Sequence, residues 1–226
     1  MKSASHQAMG YLLQETLEKE GIKLDCELFV LGNLLPDYLP ELILSPHFTN
    51  KCQREIRLFT ATLASSRAAG DAELPPEYSL RLGILCHYMT DYFTFAHSRE
   101  FPQNLSRHSA YEQGLDDFFR AHYSADECLL ASESGWRADS ARDVAQSLFS
   151  LRRQYKTAER AYETDLQYAF TACLLAAREL VRLSAQGRQG VRRRRFVSPF
   201  AAEKYAFSGV CRRRIVPRRA WCPAAA

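Results

Sequence analysis

Histidine and acidic residues recur through the middle of this chain at intervals that suit metal coordination. His87, Asp91, His97, His108 and Glu112 lie within 26 residues. His87 and Asp91 are four residues apart, as are His108 and Glu112, so each pair would share one face of a helix. Imidazole and carboxylate groups without a cysteine are typical ligands of zinc in catalytic sites. Because such ligands must converge, this series restricts the fold more than any other feature of the sequence.

Three further candidate ligands, His6, Asp37 and His47, precede this series. Together the eight residues exceed the coordination number of one zinc ion, so they predict a cluster of ions. Asp37 lies between Pro36 and Pro40, and these two prolines predict that it lies in a loop outside any helix.

The first 186 residues predict an all-α fold with a single multi-helix domain. No segment shows the alternating pattern of a strand, and residues 25–34 form a short apolar run. Helical spacing of apolar residues recurs in the ranges 5–20, 49–69, 76–95, 108–123, 140–154 and 156–185. The range 76–95 is apolar around His87 and Asp91. A buried histidine and a buried aspartate need a partner, and a metal ion would provide one.

The segment 187–226 differs in charge from the rest of the chain. It holds 11 of the 30 basic residues and one of the 26 acidic residues, so the range 1–186 is left with a net negative charge. This contrast predicts a helical domain at 1–186 and a basic, irregular tail at 187–226 that is disordered or loosely packed. Contact of the tail with nucleic acid or with an anionic membrane surface is the alternative interpretation.

Cysteine usage and hydropathy indicate the compartment. The seven cysteines are scattered, odd in number and form no CxxC pair, which is typical of reduced thiols. No segment approaches the roughly 18 uninterrupted apolar residues of a membrane span, and the first 21 residues lack the apolar region of a signal peptide. We therefore expect a cytoplasmic protein without a transmembrane segment.

The motifs also carry a resemblance to a known family. The stretch from Leu82 to Asp91, followed by His97 and then by His108 to Glu112, resembles the bacterial zinc-dependent phospholipase C family. That family shares its fold and its trinuclear zinc site with a group of single-strand nucleases. The resemblance spans roughly residues 5–125. It implies zinc as the cofactor and a phospholipid or related phosphodiester as the substrate, which a metal-activated water would hydrolyse.

The resemblance further implies a role for each residue of the series. Two zinc ions are expected, with the ligand sets Asp37, His47, His87 and Asp91 for the first and His97, His108 and Glu112 for the second. A third ion would be held in part by His6 and Asp91, with Asp91 bridging two ions. Asp37 would also act as the general base or orient the attacking water. Tyr38 would help to bind the lipid headgroup.

Two other functions remain open on the same residues. The zinc cluster could belong to a single-strand nuclease, which an assay on single-stranded DNA beside a lipid assay would distinguish. Alternatively, the metal could stabilise a helical domain without catalysis, which metal content without turnover on any phosphodiester would favour.

Overall fold

The computed structural model describes residues 1–38, 49–66, 74–102, 104–123 and 136–186. Every regular element in these ranges is helical, so the predicted all-α class is confirmed. The helices are α1 (Ser3–Lys19), α2 (Cys26–Tyr38), α3 (Thr49–Ser65), α4 (Pro76–Tyr92), α5 (Leu105–His122), α6 (Ala141–Thr157) and α7 (Tyr162–Gln186). A single 3-10 turn, Phe95–His97, follows α4. His47 and the segment 187–226 lie outside the described residues.

Helix α4 forms the centre of the molecule and packs against α2, α3 and α7. It begins at Pro76, a position where the missing N–H of proline leaves no helical hydrogen bond unmade. From Leu82 to Tyr92 every residue is buried, as its continuous apolar character requires. Its polar residues His87 and Asp91 are therefore carried into the interior. Among the described helices, none is long and apolar enough to cross a membrane.

Two glycines allow α2 and α4 to cross at very short distance. A Cβ atom on Gly83 would lie 2.1 Å from the carbonyl oxygen of Phe29 and 2.9 Å from the Cα of Gly32. A Cβ atom on Gly32 would lie 2.2 Å from the carbonyl oxygen of Leu80. Since both obstacles are backbone atoms, no side chain fits at either position without separating the helices. The crossing brings the end of α2 close to the middle of α4.

The prediction that Asp37 lies in a loop is wrong. Helix α2 continues through Pro36 and Asp37 to Tyr38. Pro36 removes only the bond that would reach the carbonyl of Gly32, and it does so two residues before the helix ends. Leu34, Leu35 and Pro36 are buried, and their packing retains the last turn. Asp37 is therefore fixed by a helix rather than by a proline-bounded loop.

Helix α5 also begins earlier than the predicted residue 108. Asn104 accepts a hydrogen bond from the backbone N–H of Arg107 at 3.0 Å and caps the helix. Leu105 and Ser106 consequently belong to the first turn. His108 and Glu112 then follow on one face of a regular helix, as their four-residue spacing predicts.

Candidate metal centre

The first group of ligands is buried between α1 and α4. The Nε2 atom of His6 lies 3.2 Å from Oδ1 of Asp91, and Nε2 of His87 lies 3.5 Å from Oδ2 of the same carboxylate. The two imidazole rings stack with their centroids 3.8 Å apart. One candidate ligand atom from each of the three residues lies within 4.8 Å of the other two. This spacing suits simultaneous contact with one ion, because zinc binds nitrogen and oxygen at about 2 Å.

Asp37 reaches this group from the last turn of α2. Its Oδ1 lies 3.7 Å from Nε2 of His87, and its Oδ2 accepts a hydrogen bond from the Ser3 hydroxyl at 2.8 Å. The Nδ1 atom of His87 lies 2.9 Å from the carbonyl oxygen of Asn33. Because a carbonyl only accepts, Nδ1 carries the proton, and Nε2 is the nitrogen whose lone pair can bind a metal on the side of the two carboxylates.

The second group comes from the 3-10 turn and α5. Nε2 of His97 lies 3.2 Å from Oε1 of Glu112, and Nε2 of His108 lies 3.0 Å from the same oxygen. All three side chains are partly buried. Nε2 of His97 also lies 3.4 Å from Oδ1 of Asp91. Asp91 therefore lies between the two groups, within 3.5 Å of a histidine of each.

The α-amino group of Met1 occupies the junction of the two groups. Its nitrogen lies 2.6 Å from Oδ1 of Asp91, 2.9 Å from Nε2 of His97 and 3.1 Å from Oε1 of Glu112. Burial lowers the pKa of this amine, but the charges of Asp91 and Glu112 outweigh burial and raise its pKa to about 11. The junction thus holds a cation among its carboxylates. A backbone amine has no signature in a sequence, so sequence analysis did not identify it.

The protonation of these residues fits a metal site. Nδ1 of His6 is buried and has no hydrogen-bond partner among the described residues. Burial, together with the Met1 charge, lowers the pKa of His97 despite Asp91 and Glu112, which keeps its imidazole neutral. Burial opposes ionisation of Glu112, but hydrogen bonds with His108 and His97 hold its pKa well below the ordinary value. Neutral imidazoles beside ionised carboxylates are the forms that bind zinc.

The structure brings together seven of the eight ligands predicted from the sequence, and the eighth, His47, lies outside the described residues. Tyr38, the predicted headgroup contact, directly follows Asp37 and is 40 % exposed.

The same interval of the chain that supplies these ligands matches a known family. The family model of zinc-dependent phospholipase C matches residues 3–172. The chain belongs to this family. The matched range includes every predicted ligand, so the resemblance inferred from the motifs is confirmed, and zinc is the metal that the family supports. No curated protein and no solved structure shows a significant match to the chain.

Proposed function

We propose that this protein hydrolyses a phospholipid at the bond between phosphorus and the glycerol oxygen, as a phospholipase C does. The observation that carries the proposal is the convergence of two ligand groups that share Asp91. The second group, His97, His108 and Glu112, offers three side chains to an ion, which leaves a coordination position for water or substrate. A purely structural zinc site is usually closed by four protein ligands, so this three-residue group favours catalysis.

The ligand sets proposed here are those that the family resemblance implies. Asp37, His87 and Asp91, with His47 as implied by the resemblance, would hold one ion. The group of His97, His108 and Glu112 would hold a second. His6 would contribute to a third ion together with Asp91. The Met1 ammonium must give up its proton or its position when ions bind, because both are cationic.

We infer separate tasks for Asp37 and Tyr38. Zinc, when bound, supplies Lewis acidity toward a phosphate oxygen and toward water. The Oδ2 atom of Asp37 is held by Ser3, and the carboxylate keeps part of its surface in solvent. These contacts support the proposal that Asp37 accepts a proton from a water that attacks phosphorus in line with the leaving oxygen. Tyr38 directly follows Asp37 and is exposed, which supports the headgroup contact that the resemblance implies.

A substrate comparison tests the proposal. Zinc-loaded protein would be assayed on phosphatidylcholine vesicles and, separately, on single-stranded DNA. Release of diacylglycerol and phosphocholine is the expected result. Cleavage of DNA without hydrolysis of the lipid would indicate that the protein is a single-strand nuclease. Bound zinc without turnover of either substrate would indicate that the metal has a structural role.

Two asparagine variants separate the tasks of the carboxylates. Asp91→Asn should lose metal as well as activity, because its two oxygens face both ligand groups. Asp37→Asn should keep most of the zinc while kcat falls by about 10²-fold or more, the range expected for loss of a general base. Zinc stoichiometry and kcat would be measured on the same preparations. Asp117→Asn is the control, because it makes the same change at an exposed carboxylate on α5 that is not a predicted ligand. Full turnover by Asp37→Asn would refute its catalytic assignment.

A further inference from the structure

A buried carboxylate lies behind the second ligand group, and none of the roles above uses it. Asp165, near the start of α7, is only 1 % exposed. Its Oδ2 accepts hydrogen bonds from the backbone N–H of Phe95 and from the hydroxyl of Tyr111, both at 2.9 Å. Its Oδ1 accepts a hydrogen bond from the hydroxyl of Tyr155 at 2.5 Å. One carboxylate thus ties α5, α6 and the 3-10 turn to α7.

Two of its three donors lie within two residues of a metal ligand. Phe95 begins the short turn that ends at His97, and Tyr111 immediately precedes Glu112 in α5. The rings of Phe95 and Tyr111 are also in edge contact, with centroids 6.0 Å apart. Asp165 therefore fixes both ligand-bearing segments without being a ligand of the second group itself.

The position of His97 depends on this contact with Asp165, because the 3-10 turn that carries His97 is short. The 3-10 turn has three residues, and a turn of this length has poorer hydrogen-bond geometry than an α-helix. The hydrogen bond from Phe95 to Asp165 supplies the turn with a contact to the rigid interior. Glu112, in contrast, lies in an 18-residue helix, whose rotation about its own axis is restrained by the bond from Tyr111.

The carboxylate of Asp165 lies in a closely packed environment. The ring of Tyr155 lies 5.8 Å from the ring of Phe93, and the buried guanidinium of Arg152 lies 4.5 Å from the centroid of the Tyr155 ring. Burial and the charge of Asp165 raise the pKa of Tyr155 and of Tyr111, so both hydroxyls stay protonated as donors. A buried carboxylate costs several kcal/mol before such partners offset it, whereas an apolar residue would fill the same space without that cost.

We propose that Asp165 is a positioning residue of the metal centre, which fixes His97 and Glu112 relative to each other and so determines how tightly their group binds zinc. The inference rests on the proposed function only in taking that group as a zinc site. Outer partners of this kind commonly change metal affinity 10- to 100-fold.

The test compares three variants on α7. Asp165→Ala removes all three acceptor contacts. Asp165→Asn keeps an oxygen for the Phe95 N–H and the Tyr111 hydroxyl, and its amide can donate to the oxygen of Tyr155. Glu179→Ala is the matched control, because Glu179 is another buried carboxylate on α7 that accepts a backbone N–H, from Ala138 at 2.7 Å. Its partners, Ala138 and Arg182, are not metal ligands.

Zinc affinity would be measured by competition with a chromophoric chelator, and the geometry by the absorption spectrum of the cobalt-substituted protein. We expect Asp165→Ala to weaken one zinc site by about 10- to 100-fold and to alter the cobalt spectrum. Asp165→Asn should restore both, and Glu179→Ala should lower the melting temperature without changing either. Should Asp165→Ala fail to fold, Tyr111→Phe, which removes one contact and keeps the ring, should weaken zinc in the same direction by a smaller factor.

The positioning role would be overturned if Asp165→Ala showed the zinc affinity and the cobalt spectrum of the wild type. If Asp165→Ala does not fold, the same result for Tyr111→Phe would overturn it. An equal loss in Glu179→Ala would also overturn it, because the effect would then be one of general stability. The outcome for the proposed function is separate. If the wild-type protein binds zinc in the expected way but hydrolyses no phosphodiester, the hydrolase proposal fails while the positioning role stands. A wild-type protein that binds no zinc would refute both.

Discussion

Substitution of Gly83 by alanine would test whether the close crossing of α2 and α4 holds the site together. The added Cβ would lie 2.1 Å from the carbonyl oxygen of Phe29, whereas a carbon and a carbonyl oxygen ordinarily approach to about 3.3 Å. The helices must therefore separate by about 1 Å. Because both ligand-bearing helices move, the gap between Asp37 and His87 should widen from its present 3.7 Å.

The free energy of unfolding should fall by about 3 kcal/mol. Overpacking of a tight interior typically costs about 1–3 kcal/mol, and we take about 4 kcal/mol here because the obstacle is a backbone atom. The better helix propensity of alanine returns about 1 kcal/mol. For a domain of this size, about 3 kcal/mol corresponds to a fall in melting temperature of about 6–12 °C.

Thermal unfolding followed by circular dichroism, together with zinc content, would measure the effect. Gly10→Ala on α1 is the matched control, because its Cβ would meet a side-chain atom, Nδ2 of Asn33, at 3.3 Å, which can shift. We expect Gly10→Ala to change stability by no more than about 1 kcal/mol. A melting temperature of Gly83→Ala equal to that of Gly10→Ala would refute the close crossing.

Three further predictions concern the site and its surroundings. Chelation should lower the melting temperature by several degrees, because the crowded carboxylates lose their cations; an unchanged melt of protein shown beforehand to contain zinc would contradict this. Burial is the main cause that raises the pKa of Asp165 to about 6, so the folded state holds its proton more tightly than the unfolded state. As the pH rises from about 4 to 6, the metal-free wild type should therefore lose up to about 3 kcal/mol of stability relative to Asp165→Asn, measured by denaturant unfolding; parallel pH profiles would refute the shift. Tyr38→Ala should raise KM about fivefold, the equivalent of about 1 kcal/mol of ring contact, with zinc content unchanged; an unchanged KM would remove Tyr38 from the substrate site.

The ligands could be predicted from sequence because their spacing carries physical information. Residues four apart on a helix share a face, and this alone pairs His87 with Asp91 and His108 with Glu112. The apolar neighbours of His87 indicated that α4 is buried, and the structure agrees. The approach of α1 to α4 through His6 depended on the family resemblance, since no local pattern predicts which helices touch.

Other features had weaker signals or none. Pro36 predicted a loop because proline is unfavourable inside helices, but packing of the last turn of α2 prevailed. The α-amino group of Met1 and the carbonyl of Asn33 are backbone atoms, whose contacts depend on tertiary structure alone. The sequence does contain a signal for Asp165, because this residue lies four residues before the buried Ala169 on the apolar face of α7. An acidic residue at such a position indicates a buried partner.

Zinc content of the wild type and of Asp91→Asn, measured by inductively coupled plasma mass spectrometry, tests the central claim most directly. Asp91 is the one described carboxylate whose oxygens face His6, His87 and His97 together. The metal centre described above predicts two to three zinc ions per wild-type chain and the loss of at least one from Asp91→Asn. A wild type without zinc, or an Asp91→Asn variant that retains the full complement, would contradict it.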